Sequence, residues 1–267
     1  MARVVGAMTR ASWQQARSYR LSLVMQTGGM LFMVVPMYFI TNALQSTMEK
    51  TIAAESGQYF SFLLVGSATL MLATVALTTL QSAISGGISS GYFESLLMTR
   101  ASVPWILAGL SSYGMLLTAI RVMVMIIAGW LLGANVAWSR AIPAVFVLIL
   151  VVVVHWGIGL IGSGLVIAFR TAGPLTQIVT TVSIFFGGVY YPVAAIPSWL
   201  RNIADATPLA YGIRAVRRVL LQGAGLGAVS SDIAILAAMG VVSLIVGAWA
   251  FSWALSYARK AGTLSSY

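Results

Sequence analysis

The stretch AIPAVFVLILVVVVHWGIGLIGSGLVIAF, residues 141–169, contains no charged side chain. A helix needs about 20 predominantly apolar residues to cross the hydrocarbon core of a bilayer, and this run is longer. The whole chain has a mean hydropathy of +0.95 and 7% charged residues, whereas soluble domains have roughly 25%. Four other charge-free gaps enclose apolar runs: Arg20 to Glu49, Glu55 to Glu94, Arg170 to Arg201, and Asp232 to Arg259. The sequence therefore predicts an all-α integral membrane protein.

The third apolar segment, residues 101–139, has two candidate structures because Arg121 lies inside it. It forms either one span with an intramembrane arginine or two shorter helices. The polar group Ser111, Ser112 and Tyr113 favours an interfacial start, so we predict one span that begins near residue 110. Six transmembrane helices result, over residues 21–44, 60–85, 110–132, 142–169, 175–191 and 233–257.

Basic residues near the ends of the spans predict the topology, because they favour the cytosolic side. The two chain ends are both basic, through Arg3, Arg10, Arg17, Arg20, Arg259 and Lys260. A second basic group lies on the outer side of the membrane if the chain has six spans, and in the cytosol if it has seven. Its members are Arg201, Arg214, Arg217 and Arg218. Seven spans would move the C-terminal pair out, so we predict six spans with both termini in the cytosol.

Residues 1–20 precede the first span and show helical periodicity. Arg3, Arg10 and Arg17 are seven residues apart and lie along one stripe, while Val4 and Met8 lie along another. This pattern is typical of an amphipathic helix that lies on the cytosolic leaflet. An ordinary basic flank that only sets the topology fits equally well.

The chain lacks the motifs of the common enzyme classes. It has no cysteine, which excludes disulfides and thiolate metal sites. Its only lysines, Lys50 and Lys260, do not follow the glycines of a phosphate-binding loop. The net charge of +10 comes from residues that flank spans, where anionic lipid headgroups rather than nucleic acid are the simplest partner. We expect no catalytic site, cofactor or metal in this chain.

The fourth predicted span carries small residues and one ionisable residue. Four glycines predict close helix packing: Gly157, Gly159, Gly162 and Gly164. His155 either lines a functional path or bonds a neighbouring carbonyl, and the sequence does not separate these. Arg121 in the third span is expected to reach the headgroups. The predicted spans contain no acidic residue at mid-depth, which argues against proton-coupled transport.

A polar stretch, SGYFESLLMTRASVP at residues 90–104, lies between the second and third predicted spans. Four of its apolar residues share one face at helical spacing: Tyr92, Phe93, Leu96 and Leu97. Glu94 lies largely off that face, and Pro104 prevents an unbroken helix into the next span. The pattern predicts a short amphipathic helix over residues 90–102 on the cytosolic surface. Without further support, a plain interfacial loop and helix would be the commoner structure.

The segment GYFESLLMTR resembles the G-T-L-E-x-L-L-x-T-P segment of type-2 ATP-binding-cassette (ABC) exporter permeases. In that family the segment forms a coupling helix that docks into a separate ATPase subunit. The resemblance therefore implies an ATPase-coupling role for Gly91, Glu94, Leu96, Leu97, Thr99 and Arg100. Arg100 stands where the family has Pro, and Gly87-Ile88 replace an upstream Glu-Arg pair.

A second segment, GGVYYPVAAIPSWLRNIADATPLAYGIRAVR at residues 187–217, resembles the stretch between the fifth and sixth spans of the same family. Ten positions fit the family pattern: Gly188, Tyr191, Pro192, Pro197, Trp199, Leu200, Pro208, Leu209, Tyr211 and Arg217. Arg214 takes a place often occupied by Asp. The resemblance implies short re-entrant helices over residues 192–220 at the outer face.

On the strength of the two matches together, the chain resembles the membrane subunit of a bacterial ABC exporter, which lies in the cytoplasmic (inner) membrane. The resemblance implies two copies of this chain and two of an ATPase subunit, which would bind ATP and Mg. Substrate would pass between the two copies and leave near the re-entrant helices. Candidate pathway or exit residues are His155, Phe185, Phe186, Tyr190, Tyr191, Pro192, Trp199, Tyr211, Arg214 and Arg217. Candidate cytosolic gate residues are Arg10, Trp13 and Arg17.

The substrate class follows less directly. The near absence of charge in the spans favours a hydrophobic drug or a lipid, with a lipid-linked polysaccharide as the second candidate. Tyr190 and Tyr191 are as well explained by an interfacial aromatic belt as by an exit path. An ion-coupled transporter and a non-transporting membrane scaffold remain the alternatives from other classes.

Overall fold

The structure is a computed structural model, and all regular structure in its described residues is helical. It describes Gly6, Thr9, Arg10 and Trp13, residues 20–99 and residues 101–260. The side chains of residues 20–24, 26, 27 and 94 are not part of this description. The four described positions before residue 20 are helical, as predicted for residues 1–20. The rest of that predicted helix, with Arg17, lies outside the described residues.

The helices follow one another with short connections. They are α1 (Arg20–Ile52), α2 (Tyr59–Ser89), α3 (Tyr92–Leu97), α4 (Val103–Leu131), α5 (Ala141–Phe169), α6 (Gly173–Phe186), α7 (Ser198–Asp205), α8 (Pro208–Leu220) and α9 (Ser230–Lys260). Short 3-10 turns lie at Trp138–Arg140, Val193–Ala195 and Leu226–Val229.

Five helices among the described residues are long and apolar enough to cross a membrane: α1, α2, α4, α5 and α9. The fifth predicted span, residues 175–191, is instead the 14-residue α6, which ends at Phe186. Such a helix is about 21 Å long and is shorter than a hydrocarbon core of about 30 Å. The chain turns after it because Gly188 has a φ of +74°, which favours glycine. The six-span count is therefore not confirmed.

Helix α4 begins at Val103, earlier than the span predicted from residue 110, because its polar side chains are satisfied within the bundle. The Ser111 hydroxyl donates to the Leu107 carbonyl at 2.9 Å and accepts from Trp156 Nε1 at 3.1 Å. Pro104 lies in the first turn, where its missing N–H costs nothing. Arg121 lies in the middle of this helix and is half-buried.

The bundle has two ends, which the contacts between helices define. The α3 end is where α2 ends and α4 begins, and the α8 end is where α2 begins. One hydrophobic cluster lies at each end of the bundle. The cluster at the α3 end contains Phe93 and Leu255 of α9, and the cluster at the α8 end contains Leu209 of α8. Because Leu255 packs near Phe93, α9 ends at the α3 end.

Glycines bring α2, α5 and α9 into backbone contact, and these three helices run parallel. A Cβ at Gly159 of α5 would lie 2.8 Å from the Leu77 carbonyl oxygen of α2. A Cβ at Gly247 of α9 would overlap the Gly157 carbonyl oxygen of α5. Close backbone approach at small residues is a major source of helix association in lipid. The glycines predicted to serve packing therefore hold the centre of the bundle.

Two glycines of α9 give a matched test of this packing. Gly247→Ala should destabilise the protein by about 1–3 kcal/mol, because backbone must move to admit the methyl group. At Gly240 a Cβ would be 3.4 Å from its nearest neighbour, a Val153 methyl, which is ordinary contact. Gly240→Ala should be neutral or stabilising by up to about 1 kcal/mol.

The measurement is the thermal unfolding midpoint of the purified protein in one detergent. Equal midpoints for the two variants would show that α5 and α9 do not touch at Gly247.

Candidate functional site

Helix α3 is a short surface helix fastened to the end of α2. Gly91 lies between the two helices with a φ of +69°, so any other residue there is strained. Phe93 is 2% exposed. A Cβ added at Gly87 would lie only 3.2 Å from the Cβ of Phe93. Gly87 thus makes room for the anchor of α3 where the related family has a charged residue.

Tyr92 and Ser95 of α3 are exposed, and so are Met98 and Thr99 in the turn that follows it. Met98 is 84% exposed, which is unusual for so apolar a side chain on a protein surface. Leu96 and Leu97 are half-buried. The side chain of Glu94 and the whole of Arg100 lie outside the described residues. The ATPase-coupling roles of these residues stay predictions.

At the other end of the bundle, Arg217 of α8 is 1% exposed and uses all five of its N–H donors. Nε donates to the Phe62 carbonyl at 3.2 Å, and Nη2 donates to the same oxygen at 3.0 Å. Nη2 also donates to the Val189 carbonyl at 2.9 Å, while Nη1 donates to the Gly188 carbonyl at 2.8 Å and to Glu55 Oε2 at 3.0 Å. Arg217 therefore ties α8 to α2 and to the loop after α6.

The surroundings of Arg217 compensate its burial. Gly66 of α2 leaves room for the guanidinium, since a Cβ at this position would lie 2.6 Å from Arg217 Nη2. The guanidinium carbon is 3.3 Å from the centre of the Phe62 ring, a cation–π contact. Burial lowers the pKa of Arg217 to about 10, and Glu55 opposes the shift, so the group is charged at neutral pH.

Arg214 makes the second ion pair of the described residues. Its Nε donates to Asp232 Oδ1 at 3.1 Å, and Nη2 pairs with the same carboxylate. The Arg214 guanidinium carbon is 5.0 Å from the centre of the Tyr211 ring, whose hydroxyl donates to the Asp205 carbonyl at 2.9 Å. Where the related family has Asp, this chain thus places an arginine and supplies its carboxylate from α9.

The two ion pairs account for two of the four arginines that the topology prediction placed on the outer side. Arg214 and Arg217 are each neutralised by a carboxylate from another element, Asp232 and Glu55. Neither ion pair was predicted from the sequence. The available signal was the position of the two acids, because each lies just before a long apolar run on the same predicted side as the arginines.

The remaining predicted exit residues surround the loop between α6 and α7. Phe185, Phe186 and Tyr191 line an open cavity of about 610 Å³ with Pro197 and Leu200.

Their neighbours have mixed roles. The Tyr190 carbonyl accepts from the Tyr59 hydroxyl at 3.1 Å, and Pro192 begins the turn that leads to α7. Trp199 of α7 is 75% exposed. The structure brings these residues to one end of the bundle, and their place on a pathway stays a prediction.

A second cavity, of about 540 Å³, lies toward the α3 end between α2, α5 and α6 and has a polar lining. Its polar side chains are Thr78, Gln81, Ser82, Ser85, Thr176 and Gln177. Gln81 is buried, and its amide donates to the Leu77 carbonyl at 2.8 Å and accepts from the Thr176 hydroxyl at 2.6 Å. This cavity was not predicted from the sequence, although its four α2 residues follow the i, i+3, i+4, i+7 spacing of one helix face.

His155 lies inside α5 and is 2% exposed. Its Nδ1 is 2.8 Å from the Val151 carbonyl oxygen, so Nδ1 carries the proton, as in the carbonyl-bonded alternative. Nε2 has no hydrogen-bond partner among the described residues. The structure therefore puts His155 in the bundle interior and away from the cavities described above.

Two of the predicted gate residues lie within the described part of the N-terminal segment. Arg10 is exposed, and the Trp13 ring is 6.4 Å from the Tyr113 ring of α4 in an edge contact. The neighbouring Thr9 hydroxyl is 2.6 Å from that of Ser112. Thr9 and Trp13 therefore contact α4 near the α3 end, and the gating role of this segment stays a prediction.

Among the described residues, a surface helix follows the second long helix and two short helices precede the last one, while five long helices are found where the resemblance implied six. The family model for ABC-2 type transporters matches residues 3–221. The chain belongs to the ABC-2 type transporter family. Its membership makes it a membrane component of an ABC transporter system, which implies an ATPase partner. No curated protein matches the chain.

The role of Arg217 can be tested with a neighbouring arginine as the control. Arg217→Lys should cost about 3 kcal/mol of unfolding free energy, because the single ammonium of lysine cannot reach all four acceptor atoms and leaves buried carbonyls unpaired. Arg218→Lys, at a half-buried site, should change it by less than about 0.5 kcal/mol. Denaturant unfolding in mild detergent measures both. A loss no greater for Arg217→Lys than for Arg218→Lys would contradict the structural role.

Proposed function

We propose that this chain is the permease subunit of an ATP-driven exporter in a bacterial cytoplasmic membrane. A separate ATPase subunit, with ATP and Mg, would supply the energy, and two copies of each chain would form the working transporter. The observation that carries the proposal is α3, a short helix packed on the bundle through Phe93 and Leu97. Ser95 of this helix, and Met98 and Thr99 directly after it, are exposed. A partner subunit would cover this surface on the cytosolic side.

The placement of carboxylates supports an external source of energy over ion coupling. Within the candidate spans, acidic residues occur only near the α8 end, as the exposed Glu49 and the ion-paired Asp232. A proton relay needs ionisable groups at mid-depth. The middle of the described spans offers His155 and Arg121 but no acid.

The two open cavities support a pathway along the α2 and α6 side. The polar cavity lies toward the α3 end, and the aromatic cavity with Phe185 and Phe186 lies at the opposite end of α6. Helix α6 is too short to seal this side across a whole bilayer. A second copy would close the path from the other side.

A hydrophobic drug-like molecule or a lipid is our first proposal for the substrate. The aromatic cavity supports it, since all seven of its lining side chains are aromatic or aliphatic: Phe185, Phe186, Tyr191, Ala195, Ile196, Pro197 and Leu200. Such surfaces bind apolar groups by burial of area and impose little polar selectivity.

A lipid-linked polysaccharide is the second candidate, and the polar cavity favours it. Its hydroxyl and amide side chains, among them Ser82 and Gln177, match the hydrogen-bonding groups of a sugar. Both candidates are molecules with an apolar part, so the test must separate them by their polar parts.

Charge reversal on α3 tests the partner. Glu94→Lys should weaken the complex with the ATPase at least about thirtyfold, because reversing one charge of an interfacial pair costs about 2 kcal/mol or more. Glu49→Lys, at an exposed site near the α8 end, is the matched control and should leave the complex intact. Co-purification with the P-loop ATPase and stimulated ATP hydrolysis give the readout. Normal assembly and turnover with Glu94→Lys would remove α3 from the coupling mechanism.

Replacement of an exposed cavity side chain tests the substrate. Gln177→Leu should lower transport of a glycan-bearing substrate by up to about tenfold, the worth of one hydrogen bond, and should spare a hydrophobic drug. Asn42→Leu, which removes an exposed amide of α1 outside the cavity, is the control. Transport into inside-out vesicles measures both substrates. Equal loss for both would contradict a sugar-binding role of this cavity.

A further inference from the structure

The outer side of α4 and α5 carries an apolar groove that the proposed function does not use. The groove has a volume of about 450 Å³, and all of its lining side chains are apolar. Met123 of α4 and Ile149 of α5 are two of its exposed wall residues. Between the walls, the small side chains of Ala119, Ala141 and Ala144 leave the space open. Its floor is part of the hydrophobic core, with Leu72 of α2 and Leu220 of α8, and its exposed walls open toward whatever surrounds the two spans.

The length of the groove matches one leaflet of a bilayer. Along α5 its lining runs from Ala141 to Val152, a rise of about 16 Å at 1.5 Å per residue. Along the antiparallel α4 it runs from Ile126 back to Met115, which is the same length. A hydrocarbon core is about 30 Å thick, so the groove extends from the surface to near the midplane.

The mouth of the groove lies where lipid headgroups are expected. The rings of Trp130 and Trp138 are 5.9 Å apart in an edge contact, and both are partly exposed. Tryptophan collects at the boundary between headgroups and hydrocarbon. Arg140 is exposed and follows Trp138 by two residues; it is the N-cap residue of α5, where the helix dipole also favours an anion. Within the described residues both ion pairs belong to other arginines, so Arg140 has no carboxylate partner there.

We propose that this groove binds one acyl chain of an anionic phospholipid whose phosphate contacts Arg140. The chain would lie between α4 and α5, and the tryptophan pair would hold the glycerol region at the mouth. Acyl chains are the molecules that the lipid-facing side of two spans meets, and a basic residue at the mouth selects anionic headgroups among them. The inference needs only that α4 and α5 cross a membrane, and it does not depend on the transported substrate.

Photolabelling tests the site directly. The full-length chain is placed in nanodiscs with phosphatidylglycerol or phosphatidylcholine that carries a photoreactive diazirine in one acyl chain. Labelled peptides are then mapped by mass spectrometry. Labels should concentrate on the groove lining, and phosphatidylglycerol should label it more than phosphatidylcholine. Labels spread evenly around the bundle would overturn the proposal, as would cross-links that show a second copy of the chain seated in the groove.

Variants separate the acyl-chain site from the headgroup site. Ala119→Trp fills the groove from an exposed position and should lower labelling there at least about fivefold, because the indole takes the space of the chain. Met123→Trp does the same from a second exposed position, in case the first variant fails to fold. Ala238→Trp, on an exposed face of α9, is the matched control and should label as the unmodified chain does. Undiminished labelling in both folded filling variants would overturn the acyl-chain site.

The headgroup contact has its own control. Arg140→Gln should lower the preference for phosphatidylglycerol over phosphatidylcholine about fivefold, the effect of one basic residue near an anionic headgroup. Arg259→Gln removes an exposed arginine at the α3 end and should leave the preference unchanged. An unchanged preference in Arg140→Gln would overturn the phosphate contact.

Discussion

The buried guanidinium of Arg217 is the interaction on which the α8 end of the molecule depends. A charged group removed from water is strongly destabilising unless every donor is paired, and Arg217 meets this condition through carbonyls of two elements and the carboxylate of Glu55. The carbonyl oxygens of Gly188 and Val189 would otherwise be unpaired in a dry environment, since these two residues lie in a loop and not in a helix. One side chain thus fixes the position of α8, the turn after α6 and the start of α2.

Backbone contacts at glycine link this end to the other. Helices α2, α5 and α9 touch at Gly159 and Gly247 without side chains between them, so they cannot slide or tilt independently without breaking close contacts. At the α3 end the same helices form the hydrophobic cluster that holds Phe93. A displacement of α3 by a partner would therefore act on the three-helix block as a unit, and through Arg217 on the short helices where substrate is proposed to leave.

The apolar runs were sufficient to predict the helices, because lipid allows few alternatives for the backbone, and the segments around Gly91 and Pro208 were sufficient to predict the family. Hydropathy failed where partners decide the structure. It placed the start of α4 too late because Ser111 and Trp156 satisfy each other across two helices. It made α6 too long because a positive φ at Gly188, and no change in polarity, ends that segment. The Arg217 network was missed because its contacts to Phe62 and Glu55 join residues more than 150 positions apart.

Cross-linking from α3 tests most directly whether this surface receives the ATPase. A photoreactive amino acid at Ser95, which is exposed on α3, reports whatever lies against that helix in intact membranes. The predicted result is a cross-link to a P-loop ATPase from Ser95 and none from Ser46, an exposed serine near the α8 end of α1. A cross-link from Ser46, or none from Ser95 in membranes where the complex can be isolated intact, would contradict the docking of a motor at α3.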